Sequence, residues 1–234
     1  MVDLKRFYNE RVNETSQSDY LKQVGHTVNG TAISHQSFEL LISNITENLE
    51  LNSDDKLLDL CCGNGVITAR LAQYCETIQG IDLSDELINI ANLSQLHSEK
   101  ISFITGDIMQ LDDILDDNRG YSKVLMFGAL QHFERNQLTE LLDITIKFCA
   151  PEFTLLLGFI PNISKRWRFY DTLNKKLLYL YRRLAKTDVM GTWWDKQYIF
   201  DICEQRQLKC EFLDVEVGEY GYPYRFHAVI KKSV

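Results

Sequence analysis

The sequence predicts an α/β fold: a doubly wound, seven-stranded sheet, mostly parallel, with an antiparallel last strand and an N-terminal helical lid. Three observations predict it. From about residue 56 onward, short apolar runs alternate with helical patterns, which implies a parallel sheet covered on both faces. The last two strand-like runs, CEFLDVEV and YRFHAVIKK, are joined by GEYGYP, too short for a crossover helix, so an antiparallel hairpin closes the sheet. Ahead of the first strand, 4–23 and 36–50 carry helical patterns, which places helices over the open edge of the sheet.

The runs at 56–61 (KLLDLC), 77–81 (TIQGI), 101–105 (ISFIT), 123–127 (KVLMF) and 153–160 (FTLLLGFI) read as buried strands. Between them, 65–75, 85–97 and 136–149 repeat apolar residues at three-and-four spacing and read as helices, as does 193–207. Crossovers between the parallel strands are right-handed.

A chain of 234 residues with 45% hydrophobic and 25% charged residues suits one large globular domain. The opening MVDLKRFYNERVNE is charged and lacks a long apolar core, so neither a signal peptide nor a membrane anchor is expected. The six cysteines contain no CxxC pair, which points to a reducing cytoplasmic setting and to no zinc site. Net charge is −8, against general nucleic-acid coating. That charge is uneven: 161–192 holds eight basic residues against two acidic ones, so it carries +6 and the remainder −14.

Chemistry concentrates at DLCCGNG, which follows the first strand. Ligands of open parallel sheets settle beyond the carboxyl ends of strands, where strand order reverses. Gly63 and Gly65 allow the backbone path and close approach that such a turn needs. The second strand ends in GIDLS, placing Asp82 where a carboxylate takes both hydroxyls of a ribose. The third ends in TGD, placing Asp107 at the same edge, within reach of an exocyclic amine. Three polar groups at three successive strand ends describe a nucleoside groove. The competing reading of Asp82 and Asp107 is a helix cap, since each precedes a helical stretch.

DLCCGNG, GID, GDI and VLMFGALQHF, in this order, resemble the class I S-adenosyl-L-methionine-dependent methyltransferases of small-molecule type. The resemblance covers about 55–232 and implies a Rossmann-like sheet with S-adenosyl-L-methionine as cofactor. Asp59, Gly63 and Gly65 match the family's (D/E)xGxGxG, whereas Cys61 replaces its first glycine. A nicotinamide fingerprint, GxGxxG, lacks its third glycine here. The resemblance implies that the turn with Asp59, Cys61, Gly63, Asn64 and Gly65 receives the methionine part. It further assigns Asp82 to the ribose, Leu83 and Ile108 to the adenine walls, Asp107 to the adenine amine and Phe127 to the cofactor cleft. Tyr8, Tyr20 and Gln23 of the lid reach toward the cofactor's carboxylate in that reading; ordinary packing is the alternative for each. The expected organisation is one methyltransferase domain over 1–234, with a lid over 1–53 and an inserted basic cap helix over 161–192.

After the fourth strand, ALQHF places Gln131 and His132 near the reacting methyl, and His132 is the candidate general base. Packing or capping beneath the next helix is its alternative role. His26 and His35 are weaker candidates, and His97 and His227 read as structural. Neither (N/D)PP(Y/F) nor a Pro-Cys nucleophile is present, so a nucleic-acid substrate is not expected. On a helical wheel Arg168, Lys175, Lys176, Arg182, Arg183 and Lys186 share one side, with Trp167, Tyr170, Leu173, Leu177, Tyr181 and Leu184 on the other. Three readings stand: a solvated face on a core-packed helix, a cap attracting an anionic substrate, or a helix resting on anionic lipid. GTWW and YPYRFHAVI are similar to methyltransferases encoded beside bacterial surface-glycan genes, which implies a sugar acceptor. The expected reaction is methylation of a hydroxyl on a small anionic or glycan-linked acceptor. N-methylation of a small amine, RNA methylation and cofactor binding without catalysis are the rivals.

Overall fold

The structure, a computed structural model, describes residues 3–16, 19–93, 99–116, 120–185, 187–188, 190–216 and 219–233. His97 and Lys186 lie outside the described residues. The chain begins with α1 (Leu4–Glu14) and α2 (Tyr20–Gln23), a small ladder of β1 (Thr27–Val28) and β2 (Thr31–Ala32), and α3 (His35–Leu49). The alternating part follows: β3 (Lys56–Leu60), α4 (Val66–Leu71), β4 (Thr77–Asp82), α5 (Asp85–Leu93), β5 (Ile101–Thr105), α6 (Leu111–Ile114), β6 (Tyr121–Phe127), α7 (Gln137–Lys147) and β7 (Cys149–Pro161). Then come α8 (Arg166–Phe169), α9 (Leu173–Ala185), α10 (Lys196–Glu204), β8 (Lys209–Asp214) and β9 (Arg225–Lys232).

The seven-stranded sheet has the order β5-β4-β3-β6-β7-β9-β8. β9 runs antiparallel to both of its neighbours, and the remaining pairs are parallel. The expected terminal hairpin forms, but its second strand slots between β7 and β8, which leaves β8 at the edge. Strand order reverses beside β3, so the crevice between the carboxyl ends of β3 and β6 is where this topology holds a ligand.

Period-two alternation sorts the strands' side chains between two cores. Leu58, Leu60, Val124, Met126, Leu155 and Leu157 face α7 and α10, whereas Leu57, Leu125 and Leu156 face α3 and α4. Every one of these six-plus-three residues is almost fully buried. A leucine-to-alanine change at such a site costs about 2–5 kcal/mol, so the strands that carry the ligand turns are rigid supports.

The expected lid divides. α3 buries Phe38, Leu41, Ile42, Ile45 and Leu49 against the sheet and is a core helix, with Ser34 capping its start through Ser37 N. Only the segment before it overhangs the strand ends. The helix expected over 4–23 breaks at Thr15, whose backbone is extended, and restarts where Asp19 caps Lys22 N. β1 and β2 are joined through Asn29 and Gly30, both with positive φ; the Asn-Gly pair is the turn signal for this hairpin.

The basic insertion also divides, into α8 and α9, with buried Tyr170 at the break. The helix expected over 193–207 starts only at Lys196, because Asp195 accepts Gln197 N and caps it. Trp194 instead bridges Asn162 beside β7, with its indole N–H donating to Leu130 O at 3.1 Å. Among the described residues no helix is long and apolar enough to cross a membrane.

Candidate active site

Loops from the carboxyl ends of five strands, α1, the inner side of α9 and residues 220–225 enclose one cavity of about 980 Å³. Of the residues expected at the site, Tyr8, Asp59, Cys61, Gly63, Asp82, Leu83, Asp107, Ile108, Phe127 and His132 line it. Tyr20, Gln23, Asn64 and Gly65 do not. Asn64 is buried, and its amide donates to Tyr20 O and to Gln23 Oε1, each at 2.8 Å. Gln23 in turn donates to Ser16 O. These polar groups satisfy one another behind the wall and strap the N-terminal segment to the turn.

The turn itself depends on its glycines. Gly63 and Gly65 have φ of 59° and 73°, and a Cβ on them would meet Val24 Cγ1 at 2.7 Å and the Phe103 ring at 2.6 Å respectively. Cys61 takes the same left-handed conformation, φ 59°, without being glycine. That strain, about 1–2 kcal/mol for an ordinary residue, is the local consequence of the family's missing glycine. Cys61→Gly is expected to melt within a few degrees of wild type, trading strain for a lost core contact. Cys61→Val, β-branched in that region, is expected to lower Tm by about 4 °C or more in a thermal melt. Burial pushes both the Cys61 and Cys62 thiols well up, so neither is a thiolate nucleophile.

Asp82 Oδ2 accepts Gly63 N and Oδ1 accepts Ser84 N, both at 2.9 Å. The cap of α5 is Ser84, whose Oγ accepts Leu87 N; this frees Asp82 from the capping role. Burial raises the Asp82 carboxyl while the N–H donors of Ser84 and Gly63 oppose it. Asp107 does cap its short turn, accepting Met109 N at 2.9 Å, and still lines the cavity. Asp59 is raised to about 7, mainly by burial, with the Thr68 hydroxyl bond opposing and the Asp82 charge adding.

S-adenosyl-L-methionine, which the sequence resemblance implies, fits this donor set. Backbone N–H groups of Gly63, Ser84 and Leu83 act on the Asp82 carboxylate without filling its roughly four acceptor sites, which leaves acceptor capacity for a ribose diol. Leu83 stands 39% exposed at the cavity wall, an uncovered apolar surface beside Ile108 where a flat base packs.

A second group of cavity residues differs in charge. His132 Nε2 and the Tyr8 hydroxyl are 3.0 Å apart. Burial and then the Arg225 charge lower His132 to about 4, while burial lifts Tyr8 to about 12; the imidazole is neutral and the phenol keeps its proton. Arg225 is a site residue that the sequence pattern does not announce. It is 6% exposed and lines the cavity. Its Nη1 donates to Gln131 Oε1 at 2.7 Å and to Phe159 O, and its guanidinium lies 4.3 Å from the Phe159 ring centroid. Its Nε has no partner, and it makes no ion pair among the described residues.

A bulge in β7 builds this corner. The register with β9 shifts between Leu157 and Ile160, and Phe159 has φ 65°. The bulge turns the Phe159 carbonyl to Arg225 and its N–H to His227 Nδ1. His227 is thereby structural, as expected. His26 lies in the cavity wall, and exposed His35 pairs with Glu39 on the surface. The remaining wall is aromatic, with Phe159 stacked between Phe127 and Tyr220 at 5.4 and 4.5 Å.

Residues 57–152 match the family described as methyltransferase domain. The putative methyltransferase YqeM of Bacillus subtilis (strain 168) is 24% identical over 148 residues, 61% of this chain and 59% of YqeM. The chain thus spans about three fifths of that relative's length. Magnesium protoporphyrin IX methyltransferase from Synechocystis PCC 6803, solved with bound SAH, has TM-score 0.62 at 15% identity, covering 98% of each chain. The plantazolicin methyltransferase BpumL, also in complex with SAH, has TM-score 0.62 at 15% identity, covering 99% of this chain and 91% of that one. The family is thus matched across the strands that bear Asp59, Asp82 and Asp107, and the fold is shared along the whole chain with solved methyltransferases, so residues 57–152 are similar to a methyltransferase domain.

Proposed function

We propose that this chain moves the methyl group of S-adenosyl-L-methionine to a hydroxyl of a small anionic acceptor, such as an acidic sugar or a glycan-linked metabolite. The observation that carries the reading is Arg225, a buried cation without a carboxylate partner among the described residues, in the same cavity as the Tyr8–His132 pair. An unpaired buried charge costs several kcal/mol, and an anionic group on the acceptor offsets that cost. The bound cofactor supplies an electrophilic methyl. The chain's residues do the rest: the acidic strand ends hold one half of the cavity, the aromatic wall excludes water, and Arg225 fixes the acceptor's anion.

His132 receives the proton that the acceptor hydroxyl loses as its oxygen bonds to carbon. Tyr8, 3.0 Å from Nε2, orients the imidazole, and the imidazolium formed releases its proton to solvent when product leaves. The electron pair of the broken sulfur–methyl bond stays with sulfur, so the exchange balances without an oxidant. Positioning supplies most of the acceleration in such an in-line displacement.

The test uses labelled cofactor and a metabolite extract separated on an anion exchanger. Label is expected in the retained, anionic fraction. Arg225→Gln is expected to lower transfer at limiting acceptor by roughly 100-fold, the loss of about 3 kcal/mol from one buried charge contact. Cofactor affinity stays as in wild type. Label in amines or in RNA contradicts the reading.

A further inference from the structure

α9 is amphipathic in the opposite sense to a helix that serves the core. Its buried residue is Tyr179, which meets Tyr170 at 4.5 Å between ring centroids within a small aromatic cluster that also holds Trp193. The leucines lie elsewhere. Leu173, Leu177, Leu180 and Leu184, spaced four, three and four, form one stripe, and Tyr181 borders it. All five face away from the protein, with Leu173 at 72% and Leu184 at 86% exposure. The reading of a solvated basic face over a core-packed apolar stripe is therefore overturned.

The cations complete the pattern. Lys175 and Arg182, both exposed, stand at the cavity rim with Leu178 and Tyr179, Lys175 paired with Asp171 at 2.8 Å, whereas Lys176 and Arg183 flank the outer stripe. Trp167, 44% exposed, stands beside them, its ring 5.7 Å from Lys176 Nζ and 4.4 Å from the Arg166 guanidinium. Apolar residues between cations, with an indole at the border, match the chemistry of the lipid headgroup boundary.

We propose that α9 docks on the surface of an anionic lipid bilayer, stripe inward, with Lys176 and Arg183 on the headgroups. Charge selects this occupant. The segment 161–192 carries +6 in a chain of −8, so its complement is anionic. A second copy docked stripe to stripe brings Lys176 and Arg183 against the same cations of its partner, which is unfavourable. A bilayer offers both the apolar layer and the negative surface. The consequence for the proposed reaction is positional: the helix that rests on lipid also forms the cavity rim, so an acceptor held at the membrane enters beside Lys175 and Arg182. The docking itself stands independently of the acceptor's identity.

Sedimentation of the full chain with vesicles tests it. The protein is expected to pellet with phosphatidylcholine–phosphatidylglycerol vesicles and to remain in solution with phosphatidylcholine alone. Leu177→Glu with Leu184→Glu is expected to lower the partition coefficient at least about tenfold, since two leucines no longer enter the apolar layer. Lys176→Glu with Arg183→Glu is expected to lower it similarly and to remove its salt dependence. None of these four residues lines the cavity, so melting temperature and cofactor affinity stay as in wild type. Wild-type protein that ignores anionic vesicles overturns the proposal, and so does a stripe variant that binds like wild type. A wild-type dimer in light scattering that Leu177→Glu splits also overturns it, by giving the stripe to a second copy.

Discussion

Asp82→Ala is expected to raise the dissociation constant for S-adenosyl-L-methionine roughly 100-fold in a calorimetric titration. Hydrogen bonds to a charged group contribute about 1.5–3 kcal/mol each, and a carboxylate on a ribose diol makes two, so a loss of about 3 kcal/mol is a conservative sum. The same carboxylate holds Gly63 N and Ser84 N, so its removal also loosens the turn. Asp82→Asn separates these effects. It keeps the side chain's shape and one acceptor oxygen, and is expected to weaken binding by about tenfold with little change in Tm. Unchanged affinity in Asp82→Ala removes the ribose assignment.

His132→Ala is expected to lower kcat by about 10²–10³-fold, in the range for losing a general base. Cofactor affinity is expected to hold, because the hydrogen-bond partner of the His132 ring among the described residues is Tyr8 and not Asp59, Asp82 or Asp107. Tyr8→Phe keeps the imidazole and loses one hydroxyl, so a smaller fall of up to about tenfold is expected. The pH dependence carries a sign. His132 is lowered to about 4 by burial and then by the Arg225 charge, so the acid limb of kcat/KM lies near 4 rather than near 6.5. Arg225→Gln removes a positive neighbour, which shifts that limb upward. Wild-type turnover in His132→Ala returns the residue to a packing role.

Much of this site is legible in the chain because it sits at strand ends. Buried parallel strands are continuous apolar runs, so KLLDLC, TIQGI and ISFIT mark where Asp59, Asp82 and Asp107 emerge at one sheet edge. Asn64 and Gln23 looked equally suited to a ligand, but pattern does not reveal which polar groups satisfy one another, and these two do. Arg225 escaped notice for a related reason. It is the first residue of β9, and only the bulge in β7, two strands earlier in sequence, shows what its guanidinium meets. The lone cation at the head of the run RFHAVI was the available signal. In α9 the helical period shows two faces without saying which one meets the core, and the leucine face is the outer one. The Asn29-Gly30 turn needed no tertiary information and was readable locally.

We propose that one cavity holds S-adenosyl-L-methionine along the acidic strand ends and presents its methyl to the Tyr8–His132–Arg225 corner. A crystal structure with S-adenosyl-L-homocysteine tests this most directly. The Asp82 carboxylate is expected on the ribose hydroxyls, Asp107 on the adenine amine, and the sulfur facing His132. A ligand seated away from Asp82, or with its sulfur turned from His132, contradicts it.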